Sequence, residues 1–231
     1  MKGKSFLLKM LQNLKLIKRR LKPIKRKLKP IKRTYKKIVY SITKSNMRKR
    51  LKNTDFSIIS DNCWGGRVYE ELGLPYRTPF IGLYIFSEDY VKLLKNFKKY
   101  MEYELTFTNN SKWNTEYDGE YPIGILNDIE IHFLHYSSME EAYKKWNKRK
   151  KRINYKNIFF KMNDDNKCSL KLLKEFDTLD LKNKIIFAAF NYKELDNLIH
   201  FTNPIGNGNV GADLFYYNKY FDVVNWLNGE Y

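Results

Sequence analysis

Short apolar runs and helical stripes alternate along the chain after about residue 55. Runs of four to eight apolar residues are typical of buried strands, and apolar residues three or four positions apart are typical of one helix face. The predicted strands are Phe56–Ser60, Phe80–Phe86, Glu104–Phe107, Tyr121–Leu126, Ile129–His135, Asn157–Met162 and Lys184–Phe190. The predicted helices are Arg67–Leu72, Glu88–Met101, Met139–Arg152, Leu170–Leu179 and Lys219–Leu227; Ser138 and Glu141 predict a capping box at the third.

This alternation predicts an α/β domain over residues 55–231, with a mixed, mostly parallel sheet flanked by helices in three layers. The strand-rich segment 102–136 is expected to add a hairpin or a mixed edge. Residues 203–213 are rich in glycine and have no clear strand before them, so they are interpreted as a mobile loop or a lid.

Residues 1–54 have a different pattern, with apolar positions at helical spacing among many lysines and arginines. These positions are Leu7, Leu11, Leu14, Ile17 and Leu21 in residues 4–22, and Tyr35, Ile38, Val39 and Ile42 in residues 34–52. The pattern predicts a basic, amphipathic, helical N-terminal arm.

The positive charge of the chain lies in this arm. The net charge is +19, residues 1–54 hold 21 Lys and Arg and no acidic residue, and the remainder holds 23 basic and 25 acidic residues. Three interpretations remain open: a membrane-binding arm, a solvated tail without a ligand, and an arm that binds nucleic acid or another polyanion. An anionic membrane surface is the favoured partner of residues 1–53, because phosphates alone would not use the apolar stripe. We therefore expect a cytoplasmic protein held peripherally at the membrane, and nucleic acid is disfavoured.

Several other classes of protein are disfavoured. Cys63 and Cys168 are too isolated for a disulfide framework and suit a reducing compartment, and no histidine or cysteine has zinc-ligand spacing. Lysines interrupt the N-terminal apolar patch, so no secretory signal is expected, and no stretch reaches the roughly 20 apolar residues of a membrane span. The Walker, GxGxxG, GxSxG and HExxH motifs do not occur.

The first candidate site is the turn that follows the first strand. Its residues are Asp61, Asn62, Cys63, Trp64, Gly65 and Gly66. Ligands of open α/β sheets bind at the carboxyl ends of strands, where a following helix points amide N–H groups at an anion. We therefore expect this turn to bind the anionic part of a donor. Cys63 is either a nucleophile with a lowered pKa or a small residue packed in a tight turn.

The second candidate site is at the end of the Ile129–His135 strand. His135 is predicted at the carboxyl end, where it would act as a general base on a sugar hydroxyl or as a hydrogen-bonded boundary residue. His132 lies in mid-strand and is interpreted as structural. Tyr136 is assigned to donor binding together with Arg149 and Arg152 of the next helix. These arginines either bind a phosphate or carboxylate, or complement the helix dipole.

A third candidate is the pair Asp164 and Asp165, just after the Asn157–Met162 strand. Paired carboxylates can hold a divalent metal on a nucleotide-sugar diphosphate, but the same residues are typical of an ordinary turn, which is favoured. No metal is predicted and no cofactor is certain. An activated donor, either a nucleotide-sugar or an acyl-CoA, is the expected small molecule.

Several of these blocks together resemble a known family. They are Ile58–Gly66, Leu72–Tyr76, Thr78-Pro79, Tyr121–Gly124, His132–Tyr136, and Ala142, Trp146, Arg149 and Arg152–Asn154. In this order, over residues 55–225, they resemble bacterial exopolysaccharide- and capsule-locus proteins whose formal label is a domain of unknown function. One departure is visible at Arg77–Phe80, where the hydroxyl residue expected after the proline is replaced.

The resemblance implies a role in the assembly of capsule, exopolysaccharide or lipooligosaccharide, but it supplies no reaction. We interpret the protein as a transferase that moves an acyl, glycosyl or phosphoryl group onto a lipid-linked glycan at the cytoplasmic membrane face. The alternative is a non-catalytic, membrane-associated component of the assembly machinery.

Overall fold

The computed structural model describes residue 30, residues 34–35, residues 37–113 and residues 119–231. The chain divides into two compact units, Met1–Lys49 and Arg50–Tyr231. Residues 37–50 form the helix α1, as predicted, and the predicted helix at residues 4–22 lies outside the described residues. None of the helices described has the length and apolar character needed to span a membrane.

The described strands and helices of the second unit alternate through most of its length. The strands are β1 Ser57–Ser60, β2 Leu105–Thr108, β3 Ile123–Leu126, β4 Ile129–His132, β5 Ile158–Asn163, β6 Lys184–Ala188 and β7 Leu198–His200. The helices are α2 Trp64–Leu72, α3 Ser87–Lys95, α4 Phe97–Glu102, α5 Met139–Lys150, α6 Leu170–Thr178 and α7 Val223–Leu227, with 3₁₀ turns at Asp213–Phe215 and Tyr217–Lys219.

A four-stranded parallel sheet in the order β1-β5-β6-β7 forms the centre of this unit. Parallel neighbours need a crossover connection, and α6 supplies it between β5 and β6. The pairing places Ser60 of β1 beside Lys161 of β5. This sheet and its flanking helices confirm the predicted α/β class.

The two faces of the parallel sheet are covered by different layers, because alternate side chains of a strand point to opposite faces. On one face Ile59, Phe160 and Ile186 belong to a core shared with α3, α6 and the antiparallel strands. On the other face the Phe187 ring packs edge-on against Trp64 of α2, with centroids 5.4 Å apart. The three layers agree with the prediction.

The segment predicted to add a hairpin or a mixed edge forms the hairpin, which is part of a separate antiparallel sheet in the order β2-β3-β4 and not an edge of the parallel sheet. The β3–β4 hairpin turns at Asn127 and Asp128, and Asn127 has φ 59°. Asparagine tolerates this left-handed conformation better than most residues, which suits a two-residue hairpin turn. Both sheets contribute to one buried core.

Other differences from the prediction have local causes. Segment 80–86 is not a strand, because Gly82 has φ 67° and only Tyr84 forms a bridge, with His132. The predicted helix 88–101 is divided at Asn96, whose φ of −136° is not helical. The last helix begins at Val223, because Asp222 caps it by accepting hydrogen bonds from Val224 N and Asn225 N.

Candidate functional site

The turn between β1 and α2 satisfies its own backbone donors. Asn62 Oδ1 accepts a hydrogen bond from the N–H of Trp64 at 3.0 Å, and Ser60 Oγ accepts one from the N–H of Gly65 at 3.1 Å. A Cβ on Gly65 would lie 2.9 Å from Ile58 Cγ2, so glycine permits the helix to approach the strand this closely. Contrary to the prediction, these two amide groups are therefore already occupied and do not face an anionic donor.

A buried ion-pair cluster lies next to this turn. Lys161 Nζ lies 3.1 Å from Asp61 Oδ1 and 3.3 Å from Asn62 Oδ1, and it also donates to Asp213 Oδ2. The side chains of Lys161, Asp61 and Asp213 are fully buried. Asp61 Oδ2 accepts a further hydrogen bond from the N–H of Asn163 at 2.9 Å. The cluster therefore joins the ends of β1 and β5 to the 3₁₀ turn that carries Asp213.

The electrostatics of this cluster favour a charged lysine. Burial raises the pKa of Asp61 to about 6; the Lys161 ammonium opposes the rise and the Asp213 carboxylate adds to it. Burial alone would lower the pKa of Lys161, but its attraction to Asp213 and Asp61 is larger in sum and raises that pKa. Asp61, predicted to bind the donor, has no surface open to a ligand and is instead a structural partner of Lys161.

A cleft of about 320 Å³ lies beside the start of α2. The predicted residues that line it are Cys63, Gly66, His135, Tyr136 and Arg149. The remaining lining residues are Arg67, Glu70, Ile81, Gly82, Lys145 and Leu214. The fold therefore brings the turn after β1 and the histidine after β4 to one cleft, although 72 positions separate Cys63 from His135.

His135 presents an exposed side chain on the wall of this cleft. The strand β4 ends at His132, so His135 lies in the following turn, where its N–H donates to the carbonyl oxygen of Gly82 at 3.0 Å. A Cβ on Gly82 would lie 3.3 Å from both His135 Cβ and Tyr136 Cε2, and the φ of Gly82 is also positive. Glycine therefore suits both the backbone and the packing of this wall.

His132, interpreted from the sequence as structural, is buried outside the cleft. Its ring stacks on Tyr84 with a centroid separation of 4.6 Å, and its Nε2 lies 3.3 Å from Glu130 Oε2. Burial lowers the pKa of His132, while the nearby Glu130 opposes that shift. His132 is therefore a packed core residue.

Arg149 is held at the cleft by neutral groups. Its guanidinium donates a hydrogen bond to the Tyr136 hydroxyl at 2.7 Å and lies 5.1 Å from the centre of the Tyr76 ring. The Tyr136 hydroxyl in turn donates to the carbonyl oxygen of Ile81 at 2.6 Å. Among the described residues, Arg149 has no carboxylate within ion-pair distance, whereas Lys145 pairs with Glu141. The Arg149 charge is therefore positioned without being neutralised by an acid.

Cys63 does not have the environment of an activated nucleophile. Burial raises the pKa of its thiol to about 11, and the Asp213 carboxylate adds to this effect. Its Sγ donates to the carbonyl oxygen of Leu83 at 3.6 Å. Of the two alternatives for Cys63, the small residue packed in the turn fits this environment and the nucleophile with a lowered pKa does not.

The remaining predicted site residues lie outside the cleft. Trp64 is fully buried, with its ring edge-on to Phe187 and to Tyr217, so its side chain belongs to the core. Asn62 and Gly65 hold the turn together by the hydrogen bonds described above. Arg152 is exposed and lies 3.4 Å from the carbonyl oxygen of Tyr76, next to the cleft but not lining it.

Asp164 and Asp165 act as turn residues that hold the glycine-rich segment. Asp164 accepts hydrogen bonds from the backbone N–H groups of Ala189 at 2.6 Å and Val210 at 2.8 Å. Asp165 accepts one from the Asn209 side chain at 3.2 Å. Segment 203–213, predicted as a mobile loop or lid, is therefore anchored at several points. In the part of the chain that the structure describes, no group of three or more metal-ligating side chains occurs.

Sequence reasoning missed two of the residues that build the site. Lys161 stands in an apolar strand between Phe160 and Met162, and a lysine at an interior strand position signals a buried partner. Asp213 closes a glycine-rich segment 52 positions later, and no spacing rule connects it to Lys161. Only the fold reveals the pair.

The fold and cleft define an α/β protein with a small pocket beside the carboxyl end of the first strand, lined by three basic residues, one acid and otherwise neutral groups. Residues 34–228 match the family described as "Domain of unknown function (DUF1919)", and the chain belongs to that family. It is also 34% identical over 191 residues to a Haemophilus influenzae protein named "Uncharacterized protein", covering 79% of this chain and 88% of that protein. The family match begins upstream of the predicted domain boundary at residue 54 and includes α1.

Proposed function

We propose that this protein is a transferase of surface-polysaccharide assembly that modifies a hydroxyl group of a lipid-linked glycan. The observation that carries the proposal is that His135 and Arg149 line the same cleft. The imidazole of His135 is exposed there, and the guanidinium of Arg149 is held by Tyr136 and has no carboxylate partner among the described residues. An imidazole can accept a proton near neutral pH, and a guanidinium can bind a phosphate or carboxylate through two hydrogen bonds. The polysaccharide context rests on the resemblance of the sequence blocks.

In the proposed reaction, His135 takes the proton of the acceptor hydroxyl as its oxygen attacks the transferred group. The new bond joins this oxygen to the acyl, glycosyl or phosphoryl centre, and the bond from that centre to the donor breaks. The leaving group departs with the bonding electrons, and the proton on His135 is then released to it or to water. Arg149 holds the anionic portion of the donor, supported by Tyr136.

The donor class follows from the charge of the cleft. Nucleotide-sugars and acyl-CoA both carry phosphates. Of the basic residues in the lining, Arg67 pairs with Glu71 and Lys145 pairs with Glu141, so Arg149 is the cation placed to bind a phosphate. A volume of about 320 Å³ is near the lower end of the roughly 300–1,000 Å³ usual for small-molecule pockets, so the cleft suits the reacting end of a donor. Cys63 has no role as a nucleophile in this scheme.

The N-terminal arm completes the proposal. Its 21 cationic residues and apolar stripe would hold the protein on an anionic leaflet at the cytoplasmic face, close to a lipid-linked acceptor. Confinement at the same surface raises the effective concentration of the acceptor.

Glycan analysis of a deletion strain tests the proposal. The strain is complemented with the full chain, with His135→Ala, with Arg149→Met or with the matched control His200→Ala, whose histidine does not line the cleft. We expect loss of one acetyl, sugar or phosphate substituent in the deletion strain, restoration by the wild type and by His200→Ala, and no restoration by the two cleft variants. Full restoration by a stably expressed His135→Ala variant would refute the catalytic role and favour a non-catalytic component.

A further inference from the structure

A second concave surface lies at the other end of the parallel sheet. It includes Ile158, the first residue of β5, and Lys182 and Asn183, which immediately precede β6. The cleft described above lies beyond the carboxyl end of β1, which is parallel to β5. The two surfaces are therefore at opposite ends of the strands, and the second one is a separate site with a volume of about 540 Å³.

The floor of this second surface is apolar. Phe97 and Phe160 pack edge-on with ring centroids 5.9 Å apart, and the Tyr155 ring lies 6.2 Å from that of Phe97. Ile158 and Leu181 are partly buried against the core and complete the floor. Tyr155 is 43% exposed, so an aromatic edge of the floor is open to a ligand.

The rim is strongly cationic, with lysines on three separate segments. They are Lys95, Lys98 and Lys99 around the start of α4, Lys156 before β5, and Lys182 before β6. Lys95 pairs with Glu175, but among the described residues the other four have no carboxylate within ion-pair distance. Asp180 is the one acid in the lining. We refer to this surface as the lysine-rimmed groove.

We propose that the lysine-rimmed groove binds a single-chain anionic amphiphile, with the hydrocarbon chain on the aromatic floor and the phosphate or carboxylate head against the lysines. An apolar group of the ligand stabilises binding at the floor because it removes apolar surface from water. An anionic group stabilises binding at the rim because it is attracted to lysines that have no carboxylate partner. A ligand that satisfies both must carry both properties.

Other occupants fit the charge less well. The N-terminal arm of the same chain has an apolar stripe, but its 21 cationic residues would repel the lysines of the rim. A polyanion such as a nucleic acid would satisfy the lysines and leave the exposed part of Tyr155 and the partly buried Ile158 and Leu181 in contact with water. The proposal does not depend on the transferase function, because the groove and the cleft share no lining residue.

Calorimetric titration of the full-length protein with dodecyl phosphate below its micelle concentration tests the proposal. The test variant is Lys98→Glu/Lys99→Glu, and the matched control is Lys144→Glu/Lys148→Glu, which makes the same change of charge at exposed lysines of α5 that do not line the groove. Both variants retain the basic arm, so attraction to the arm is common to them. We expect the test variant to weaken binding at least about tenfold and the control variant to change it less than about twofold.

Two further titrations distinguish the contribution of the ligand's hydrocarbon chain from that of its head group. Neutral dodecyl maltoside should bind at least about tenfold more weakly than dodecyl phosphate, and inorganic phosphate at the same concentration should not displace it. A diazirine derivative of the amphiphile should label peptides that contain Phe97 or Leu181. Equal weakening by the test and control variants, displacement by inorganic phosphate or by a short oligonucleotide, or labelling confined to other peptides would overturn the proposal.

Discussion

The Lys161 ammonium lies 3.1 Å from the Asp61 carboxylate, and neither side chain has any exposed surface. With Asp213, which also pairs with Lys161, this contact joins β1, β5 and the segment that supplies Leu214 to the cleft. The ion-pair cluster therefore helps to position Leu214 in the lining of the cleft, although none of the cluster's own residues lines the cleft.

Replacement of Lys161 by methionine should severely destabilise the fold. The change leaves the buried carboxylates of Asp61 and Asp213 without their cation, and breaking a buried pair in this way typically costs about 3–5 kcal/mol. The free energy of unfolding in urea measures the effect. The matched control, Lys156→Met, removes an exposed lysine near the same strand and should change the value by less than about 0.5 kcal/mol. Equal stability of the two variants would contradict the account of the cluster.

The raised pKa of Asp61 gives a second prediction, for the dependence of stability on pH. The pKa is about 6 in the folded protein and 3.8 in the reference state, so between about pH 4 and pH 6 the folded state keeps a proton that the unfolded state has lost. The contribution of Asp61 to stability therefore falls as the pH rises through this window and is constant above it.

Urea unfolding of the wild type and of Asp61→Asn from about pH 4 to about pH 7 tests this sign. The variant has no titrating group at this position, so its stability should fall less over the window. Asp180→Asn, at an exposed site, serves as the control and should follow the wild type. A steeper fall in Asp61→Asn than in the wild type would contradict the assigned direction.

The parts of the fold that the sequence predicts are those set by local pattern. The apolar run of β5 and the Ser138 cap of α5, whose hydroxyl accepts from the N–H of Glu141 at 3.1 Å, depend on neighbouring residues and were predicted within a few positions. The short strand β7 was missed because three residues, Leu198–His200, carry too little periodicity.

The candidate site was only partly predictable for a related reason. Alternation predicts His135 at the end of a strand; the strand ends at His132, and the turn that follows it places His135 in the cleft together with Arg149 and Cys63. The pKa of Cys63 depends on burial and on Asp213, which is 150 positions away, so the sequence pattern could not decide between a nucleophile and a packed residue. A pKa that depends on burial by residues distant in the sequence can be assigned only from the folded structure.

A low thiol reactivity is the third prediction. With a pKa of about 11, Cys63 should react with iodoacetamide at neutral pH much more slowly in the folded protein than in denaturant. The rate is measured by mass spectrometry in a Cys168→Ser background, so that Cys63 is the reacting thiol. Complementation by Cys63→Ser should also restore the glycan substituent. Rapid alkylation with an apparent pKa below about 8 would revive the nucleophile hypothesis.

The fourth prediction concerns the N-terminal arm. The full chain should float with vesicles that contain anionic phosphatidylglycerol and remain unbound with neutral phosphatidylcholine vesicles, and added salt should weaken the binding. Removal of residues 1–33 retains the whole segment matched by the family and should reduce binding to anionic vesicles at least about tenfold. Equal flotation with both vesicle types, unaffected by the truncation, would refute the electrostatic account.

The central claim is that the cleft between the β1 turn and His135 receives an anionic donor, and the histidine NMR spectrum tests it most directly. The chain has three histidines, so the imidazole signals of His132, His135 and His200 can be assigned with single His→Gln variants. Uridine diphosphate, coenzyme A and inorganic pyrophosphate serve as probes.

At least one of these probes should shift the His135 signal in a saturable way, and Arg149→Met should abolish that shift. The His200 signal, from outside the cleft, should remain in place. If all three probes leave His135 unchanged while the folded spectrum is intact, or if they shift His200 instead, then the cleft does not bind an anionic donor and the transferase proposal fails.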